Sequence, residues 1–545
     1  MRYVRLVLIG IMALVAALLV ATPSQAEEPP VPSMEGEAAF VPPDLAGGSG
    51  EPGPLAEPWP HGSQTSEYLA GSVVYSVVLV ESSGGVGNCS PADSQSENWS
   101  AATASQVLDE IDEGINFWET RSNGPTRNFI LDNLGVRATS CEPIARPAYD
   151  QQYWIADVLV GMGYDATPSN YFTTARTLAG DRRDAKGADW AFTIFVVDSL
   201  NDSDGCFAPG CKDGGMFAYA YLNGPFMVMT FDNSTWGIDR MDKVTRHEMG
   251  HTFGALDEYA SSNCSTSASW GYLNALNTSC NNEGITDDIS IMGETGHPDA
   301  DVSASARDAI GWRNPAVGHS GKLVTDVVRS TAATPYEYMP DPTVDTTPTY
   351  IALASNPPFP PEGPRFFHGY YRGTADAVSI SRTVWAEWNV DGGDFMPVQP
   401  DDGAFDEQYE TYHFTPATPL AYGTYTFGTR SGNDFGDTSS ISTDTLTIGQ
   451  DSDGDGFADA AEAYMGTDPL DNCSADAIAD NEPLDALPPD MNDDRSVNIL
   501  DQFKMFPYWL QPAGTEGARF DLNTDGFVNV LDVFQMFPYW LESCT

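Results

Sequence analysis

The chain has 545 residues, of which 41% are hydrophobic, so it is long enough to form several domains with separate cores. Its formal net charge is -53, because 78 acidic residues are set against 25 basic ones. Nucleic acid and anionic membrane surfaces would be repelled by such a chain, which excludes both as partners.

The N-terminus predicts export. A short basic start is followed by a hydrophobic run from Leu6 to Ala21 and by small residues at Ser24 and Ala26. This order is typical of a secretory signal peptide, here residues 1–26. A membrane anchor is the alternative, but the run is slightly short for a span, and no later segment is long and apolar enough. We therefore expect a secreted, extracellular protein with no membrane span once the signal is removed.

The next segments differ sharply in composition. Residues 27–66 are rich in proline, glycine and glutamate, and we expect a disordered leader or a short propeptide there. Residues 67–330 alternate between strand and helix patterns. The predicted elements are a strand over 73–80, helices over 104–118 and 153–162, strands over 192–197 and 226–231, and a helix over 239–253.

The last of these helices carries a metal-binding pattern, His247-Glu248-Met249-Gly250-His251. Two histidines four residues apart face the same side of a helix, so both imidazoles are able to bind one zinc ion. Gly254 permits a sharp turn after the helix, and Asp257 then returns as a third ligand. Three protein ligands leave one position for a water molecule, and Glu248 is placed to act as its general base.

The third ligand has alternatives. Asp257 is also able to cap a turn or to pair with an arginine, and Glu258 and His297 are nearby substitutes. A glutamate from a later helix, Glu283 or Glu294, is the poorer alternative, because it would leave the glycine turn without a role.

The motif, HExxHxxGxx followed by a metal ligand, resembles the signature of the metzincin zinc peptidases, with the aspartate of snapalysin-type members in the last place. Ser290-Ile291-Met292-Gly293 looks like their Met-turn, the methionine loop beneath the zinc ligands. The resemblance implies an α+β (α/β/α) catalytic domain over residues 67–330, one catalytic zinc ion and a cleft strand within residues 218–231. Many members carry a tyrosine two residues after this methionine, whereas this chain has Glu294. The group that stabilises the transition state is therefore unassigned.

Residues 331–448 have a different pattern. Short alternating strands, such as residues 383–390 and 423–428, are separated by turn signals such as Asp391-Gly392-Gly393. This pattern predicts an all-β sandwich of immunoglobulin or fibronectin type. Modules of this kind usually space or attach other domains, and the sequence indicates no site in it.

An acidic segment within residues 449–475 matches an EF-hand calcium loop. Such a loop supplies oxygen ligands at positions 1, 3, 5, 7, 9 and 12, with a glycine at position 6 for the turn. The candidate ligands are Asp451, Asp453, Asp455, the carbonyl of Phe457, Asp459 and Glu462. Similar loops occur in thrombospondin type 3 repeats, and an acidic linker is the alternative.

Residues 476–545 contain an internal repeat, in which positions 490–501 align with positions 521–532. The aligned candidate calcium ligands are Asp490, Asn492, Asp494 and Asp501 in the first copy and Asp521, Asn523, Asp525 and Asp532 in the second. Each copy continues into Met-Phe-Pro-Tyr-Trp-Leu. The pair resembles a type I dockerin, a small α-helical calcium-binding module that attaches enzymes to cohesin scaffolds.

Two departures qualify this second resemblance. Arg495 replaces the turn glycine of the first loop, which we expect to weaken its calcium site. Ile499-Leu500 and Val530-Leu531 stand where cellulosomal dockerins often carry hydroxyl residues that meet cohesin. The repeated aromatic residues are either a partner surface or, more commonly for related repeats, a shared core. We expect two or three structural calcium ions, with a cohesin-like or surface partner left open.

Eight cysteines fit an exported, oxidised protein. Their spacing predicts disulfides between Cys206 and Cys211, Cys264 and Cys280, Cys89 and Cys141, and Cys473 and Cys544. A thiolate nucleophile is the alternative, but no cysteine lies in a recognisable catalytic context.

Together these patterns favour a secreted zinc-dependent endopeptidase that acts on extracellular proteins or peptides. The alternative, from another functional class, is an extracellular calcium-dependent adhesion or scaffold-bound protein whose peptidase-like domain is inactive. An intact Glu248 favours the enzyme.

Overall fold

The structure is a computed structural model, and it describes residues 39–40, 64–83, 87–89, 98–121, 125, 127–280, 290–293, 300–312, 329–330, 334–335, 340–357, 365–367, 370–371, 378–478 and 483–542. The predicted signal peptide and most of the predicted leader lie outside these residues. The same holds for Glu283, Glu294, His297 and Cys544.

The N-terminal region alternates strands and helices. Its elements are β1 (Ala39–Phe40), β2 (Gly71–Ser82), α1 (Ala101–Glu119), β3 (Arg127–Thr139), α2 (Gln151–Gly161), α3 (Tyr171–Lys186), β4 (Trp190–Val197), β5 (Ala218–Tyr221), β6 (Phe226–Thr230), α4 (Met241–Thr252), β7 (Ser269–Trp270), β8 (Ala275–Leu276) and α5 (Ala304–Ala309). Each predicted element is present close to its predicted ends, whereas β3 and α3 have no counterpart among them.

A six-stranded sheet forms the middle layer, with strand order β1-β5-β6-β4-β2-β3. Within it β5 is antiparallel to β6, while β2, β3, β4 and β6 are parallel. Successive side chains of a strand point to opposite faces. Val73 and Tyr75 of β2 therefore pack with α1 and α4, and Val78 and Val80 pack with α2 and α3. This region is an α/β/α arrangement with one hydrophobic core on each face of the sheet.

Parts of the expected disordered leader are ordered against this region. Gln64, Thr65 and Ser66 are buried, and the Thr65 carbonyl accepts a hydrogen bond from the Ala191 N–H of β4. Ala39 and Phe40 form β1, which runs parallel to β5, and the Phe40 carbonyl accepts a hydrogen bond from the Leu222 N–H at 2.9 Å. The Phe40 ring also packs against Tyr219 and Tyr221. The expectation of disorder therefore fails at these residues, at Phe40 because an aromatic side chain finds a hydrophobic surface at the sheet edge.

The middle region is built from antiparallel strands. Its elements are β9 (Arg329–Ser330), β10 (Thr334–Pro335), β11 (Tyr350–Ser355), β12 (Phe366–Phe367), β13 (Tyr370–Tyr371), β14 (Thr383–Val390), β15 (Met396–Pro397), β16 (Tyr409–Phe414), β17 (Gly423–Asn433) and β18 (Ser442–Ile448). One sheet contains β9, β10, β11 and β16, and another has the order β15-β14-β17-β18. The two share a core around Tyr350, Trp388, Phe414 and Phe427.

The predicted boundary between the first two regions is crossed in both directions. β9 precedes residue 331 but pairs with β11 of the middle region. β12 follows it but pairs with β7, and Val378 and Ile380 join the core that contains α4. A cut at residue 330 would therefore separate paired strands and remove side chains from the core that contains α4.

The C-terminal region consists of short helices after acidic loops. Its elements are α6 (Asp459–Met465), α7 (Ile499–Met505), β19 (Gln511–Pro512), α8 (Gly514–Gly517), β20 (Phe527–Val528) and α9 (Val530–Met536). Asn498 caps α7 and Asn529 caps α9, each accepting a backbone N–H two residues later. Met465, Met505 and Met536 meet in a single core, so all three acidic loops belong to one module.

Three predicted disulfides are confirmed: Cys89–Cys141, Cys206–Cys211 and Cys264–Cys280. Cys473 is also disulfide-bonded, while its predicted partner, Cys544, lies outside the described residues. No helix in the described part of the chain is long and apolar enough to cross a membrane.

Candidate metal centres

Helix α4 places the two motif histidines one turn apart in a fully buried position. The Nε2 atoms of His247 and His251 lie 3.0 Å from one another. The helix ends at Thr252, and Gly254 adopts a φ of +95°, which reverses the chain and brings Asp257 back to the histidines. A Cβ at Gly254 would lie 2.8 Å from the Gly271 Cα, so space as well as conformation requires glycine there.

The three predicted zinc ligands converge on one point. Asp257 Oδ1 lies 3.3 Å from His247 Nε2 and 3.1 Å from His251 Nε2. Ligand atoms about 2.0–2.2 Å from a tetrahedral zinc ion lie about 3.3 Å from one another, so these spacings fit one face of a tetrahedral site. The buried Asp257 Oδ1 atom has no conventional hydrogen-bond partner in the described part of the chain, as expected of an atom that binds a cation.

Backbone carbonyls orient both imidazole rings. The Nδ1 atom of His247 lies 2.7 Å from the Ile291 carbonyl oxygen, and that of His251 lies 2.8 Å from the Ala255 carbonyl oxygen. A ring that donates its Nδ1–H to a carbonyl keeps its Nε2 lone pair for a metal. Sequence patterns do not reveal these carbonyls, because the two loops approach α4 only in the folded chain.

Asp257 is held as a charged carboxylate. Burial alone would raise its pKa, but the adjacent His251 and His247 outweigh this effect and hold the pKa of Asp257 well below its usual range. Its carbonyl oxygen accepts a hydrogen bond from the Asn277 side-chain amide at 2.7 Å. The third ligand is therefore fixed through its backbone as well as its side chain.

Glu258, the nearby substitute ligand, points elsewhere. Its carboxylate accepts hydrogen bonds from the hydroxyls of Ser303 and Ser305, and its backbone N–H donates to the Met292 carbonyl. Burial raises the pKa of Glu258. Glu258 thus anchors the segment that carries Asp257, and it is not part of the cluster that Asp257 forms with His247 and His251.

Met292 lies beneath the ligands, as the sequence predicts. Its sulfur would be 2.5 Å from a Cβ placed at Gly250, so it packs directly on the backbone beside His251. The carbonyl groups of Ile291 and Met292 reach His247 and Glu258, respectively. Glu248, between the two histidines in sequence, is fully buried on the same helix.

The acidic loop at residues 451–462 forms a second cluster of ligands. Carboxylate oxygens of Asp451, Asp453 and Asp455 lie within 4.8 Å of one another. Glu462 is fully buried, and both of its carboxylate oxygens lack a hydrogen-bond partner in the described part of the chain. Burial and the nearby Asp455 and Asp453 raise the pKa of Glu462 to about 9. Buried carboxylates that repel one another in this way fit a calcium ion.

Two predicted ligands of this loop also make contacts that hold the loop in place. Asp459 accepts hydrogen bonds from the backbone N–H and hydroxyl of Ser452, so its side chain braces the loop. Phe457 donates its N–H to Asp455 and buries its ring in the module core.

The two repeat loops have matching hydrogen bonds. In the first, Asp490 accepts from the Asp494 N–H and Asp501 accepts from the Asn492 and Asn498 N–H groups. Asp521 and Asp532 accept from Asp525, Asn523 and Asn529 in the same way. Burial together with neighbouring acidic groups raises the pKa values of Asp490 and Asp532 to about 7.

Arg495 does not distort the first loop. It adopts a φ of +70°, close to the +88° of Gly526 at the matching position. Its guanidinium donates to the carbonyl groups of Ser474 and Ala475. These bonds offset part of the strain that a side chain incurs in the left-handed region, which the sequence pattern alone does not show.

The repeated aromatic residues divide between core and surface. Tyr508, Trp509, Tyr539 and Trp540 are partly buried against the module core, whereas Phe503, Phe506, Phe534 and Phe537 are about half exposed. The expectation that such repeats form mainly a shared core therefore fails for these phenylalanines. We call these four residues, with the exposed Leu510 and Leu541, the apolar surface of the module.

Comparisons with known proteins concern this C-terminal region. Residues 451–472 match the family model of the bacterial TSP3 repeat, and residues 488–538 match that of the dockerin type I domain. No curated protein matches the chain. Among solved structures, the sulfane dehydrogenase SoxCD from Paracoccus pantotrophus is matched at 11% identity and a TM-score of 0.14, over 21% of this chain and 23% of that chain, which is too low to carry an argument.

Dockerin type I domains are EF-hand-like calcium-binding modules, and proteins that carry them are typically extracellular or at the cell surface. The match supports structural calcium in the repeat loops. The chain is multidomain, with mixed α/β structure, and ends in a dockerin module that follows a TSP3 repeat.

Proposed function

We propose that the protein is a secreted zinc-dependent endopeptidase that cleaves extracellular proteins or peptides and is attached to a partner by its calcium-binding C-terminal module. The observation that carries the enzymatic half is the convergence of His247, His251 and Asp257 on one point beside Glu248. The matched families support the attachment half.

The chemistry follows from the residues around that point. A bound zinc ion would acidify a water molecule and polarise the scissile carbonyl. Glu248, as general base, takes a proton from the attacking water and returns it to the leaving amine. His247 and His251 are held in the correct ring orientation by the Ile291 and Ala255 carbonyls.

The competing proposal is an extracellular calcium-dependent adhesion or scaffold-bound protein with an inactive peptidase-like domain. The comparisons favour this proposal, because the TSP3 and dockerin matches both lie in the calcium-binding region. Both proposals share the attachment role, so they differ only in whether the zinc centre turns over substrate.

A Glu248→Ala variant of the full chain separates the two. We expect it to retain zinc, because Glu248 is not a ligand, and to lose casein or gelatin cleavage by at least about 100-fold, as expected for the loss of a general base. Zinc content and cleavage are measured on the same preparation. The exposed Glu113 on α1 supplies the matched control, Glu113→Ala, which should keep both.

Calcium must be held constant in these assays, because a general chelator would also strip the C-terminal loops and imitate a loss of catalysis. Cleavage that persists in Glu248→Ala would refute the proposed base. A wild-type chain that binds zinc but cleaves neither protein would favour the inactive alternative.

For attachment, we propose that the apolar surface of the module docks on a cohesin-type partner. Phe503 and Phe534 are 51% and 44% exposed on α7 and α9, and Leu510 and Leu541 are 74% and 76% exposed. Exposed apolar side chains repeated in this way are typical of interaction sites.

The docking test uses purified type I cohesins and the calcium-loaded full chain. A Phe503→Asp/Phe534→Asp double variant should lose binding, because it places charge at the centre of each exposed face. Leu470→Asp is the matched control, since Leu470 is 76% exposed but lies outside the repeats. Binding unaffected by the double variant would contradict this surface.

A further inference from the structure

The TSP3 loop at residues 451–462 and the second repeat loop at residues 521–532 are joined by two tyrosine side chains. Tyr464, on α6, donates its hydroxyl proton to Asp521 Oδ2 at 2.8 Å. Tyr539, just after α9, donates its hydroxyl proton to the Asp455 carbonyl oxygen at 2.8 Å. Each loop is therefore hydrogen-bonded to a residue that follows the other loop.

Both tyrosines lie close in sequence to ligands of their own loop. Tyr464 is two residues after Glu462, the last ligand of the TSP3 loop, and both are on α6. Tyr539 belongs to the short helical turn that follows α9, the helix that carries Asp532, the last ligand of the second repeat loop. A shift of either helix would thus move a calcium ligand and a hydrogen bond to the other loop together.

The packing between the two loops leaves little freedom. A Cβ at Gly456, the turn glycine of the TSP3 loop, would lie 2.3 Å from the Tyr539 hydroxyl oxygen. The Tyr539 ring also lies 5.8 Å from that of Phe457, measured between centroids. Phe457, Met465 and Met536 are buried in one core. The contact is therefore a built interface rather than a chance approach of two surface loops.

We propose that Tyr464 and Tyr539 are positioning residues that couple calcium binding at the TSP3 loop to calcium binding at the second repeat loop. An ion in the second loop fixes Asp521, which fixes Tyr464 and α6, and so aims Glu462 into the TSP3 loop. An ion in the TSP3 loop fixes the Asp455 carbonyl, which fixes Tyr539 and the end of α9. The coupling rests on calcium binding by these loops and is independent of the zinc centre.

The first repeat loop lacks this arrangement and serves as an internal comparison. Tyr508 stands where Tyr539 stands in the second repeat, but its ring stacks on Phe520 with a centroid distance of 4.9 Å. The first loop is joined to the segment after the TSP3 repeat by the Arg495 guanidinium instead.

The test titrates calcium into the calcium-free full chain by calorimetry, in an Asp490→Asn background that silences the first loop. Glu462→Gln removes a ligand of the TSP3 loop. It should raise the calcium dissociation constant of the second repeat loop by at least about fivefold. Asp532→Asn should raise the calcium dissociation constant of the TSP3 loop by a similar factor, because coupling between two binding sites is reciprocal.

Removal of the two hydroxyls should abolish this dependence. In a Tyr464→Phe/Tyr539→Phe chain two calcium ions should still bind. The calcium affinity of each loop should then no longer change when a ligand of the other loop is removed. Tyr508→Phe, the matched control, should leave the coupling factor unchanged. Circular dichroism at saturating calcium verifies folding. If a ligand variant unfolds, the cooperativity of the two binding events in the Asp490→Asn chain measures the coupling instead, and Tyr464→Phe/Tyr539→Phe should abolish that cooperativity.

Any of three results would overturn the proposal: independent binding by the two loops in the wild-type chain, a coupling factor that survives removal of both hydroxyls, or a module that binds no calcium. None of these results bears on whether Glu248 supports peptide cleavage, so this test and that of the proposed zinc site fail separately.

Discussion

Arg495 shows how a single residue is tolerated where its loop pattern requires glycine. Its left-handed backbone costs about 1–2 kcal/mol relative to glycine. Its two guanidinium hydrogen bonds, to Ser474 and Ala475, each return about 0.5–1.5 kcal/mol. The two effects nearly cancel, which explains why the first loop keeps the hydrogen bonds of the second.

Alanine and glycine substitutions at this position should therefore differ. Arg495→Ala keeps the strain and loses the hydrogen bonds, so it should destabilise the calcium-loaded module by about 1–3 kcal/mol. Arg495→Gly loses the strain as well as the hydrogen bonds, so it should change the stability of the calcium-loaded module by less than about 1 kcal/mol. Hydrogen exchange of peptides from residues 488–505 reads this module separately from the rest of the chain. Equal effects of the two substitutions would contradict the proposed cancellation of backbone strain by the Arg495 hydrogen bonds.

The proposed zinc site also shows what a sequence reveals at the residue scale. The approach of His247, His251 and Asp257 is predictable because their spacing reflects one helix and one glycine turn, whereas Met292 was expected only from the resemblance to the Met-turn. The hydrogen bonds of Asn277 to Asp257 and of Glu258 to Ser303 and Ser305 are not predictable, because they join residues brought together by folding.

At the scale of elements, the strongest patterns were those with one buried face. Strand β2 and helix α1 bury a regular set of hydrophobic side chains, so their periodicity predicts them. Strand β3 lies at the sheet edge with largely exposed or half-exposed residues, and α3 is rich in charged residues. Their burial depends on neighbours that no local pattern specifies.

The segment between Cys264 and Cys280 is the element that holds Asp257 in place. It carries Asn277, and its disulfide closes a sequence separation of 16 residues. A loop of that size contributes about 3 kcal/mol by restricting the unfolded chain. The bridge therefore stabilises the segment that holds Asp257, the third ligand of the proposed zinc site.

A Cys264→Ser/Cys280→Ser variant should consequently lose zinc more readily. We expect its zinc dissociation constant, measured by competition with a chromogenic chelator, to rise by about 10-fold or more, since part of the lost constraint acts on Asp257. Cys206→Ser/Cys211→Ser is the matched control, because that bridge closes a short loop that carries none of the proposed ligands. An unchanged zinc constant would mean that Asn277 and Glu258 suffice to hold the ligand loop.

At the scale of the whole molecule, part of the charge of -53 lies in acidic loops where calcium is expected to neutralise it. Asp455, Asp490 and Asp532 have pKa values raised to about 7, and Glu462 to about 9, by burial and by neighbouring carboxylates. Without calcium, the folded module therefore holds protons that the unfolded chain releases near pH 4.

The sign of the pH dependence follows directly. These groups contribute most to stability below about pH 4, and the contribution is lost as the pH rises through about 7 and 9. In a calcium-free chain, the midpoint of thermal unfolding of the C-terminal module should therefore fall steadily between pH 5 and pH 9. Calcium displaces the same protons and occupies the carboxylates, so at saturating calcium this fall should disappear.

Differential scanning calorimetry over this pH range, with and without calcium, tests the prediction. Sodium chloride at matched ionic strength is the control, because salt screens the general charge of the chain but does not occupy the loops. If sodium chloride removed the fall as well as calcium does, general repulsion would be its cause. If only calcium removes it, the acidic loops are specific calcium sites.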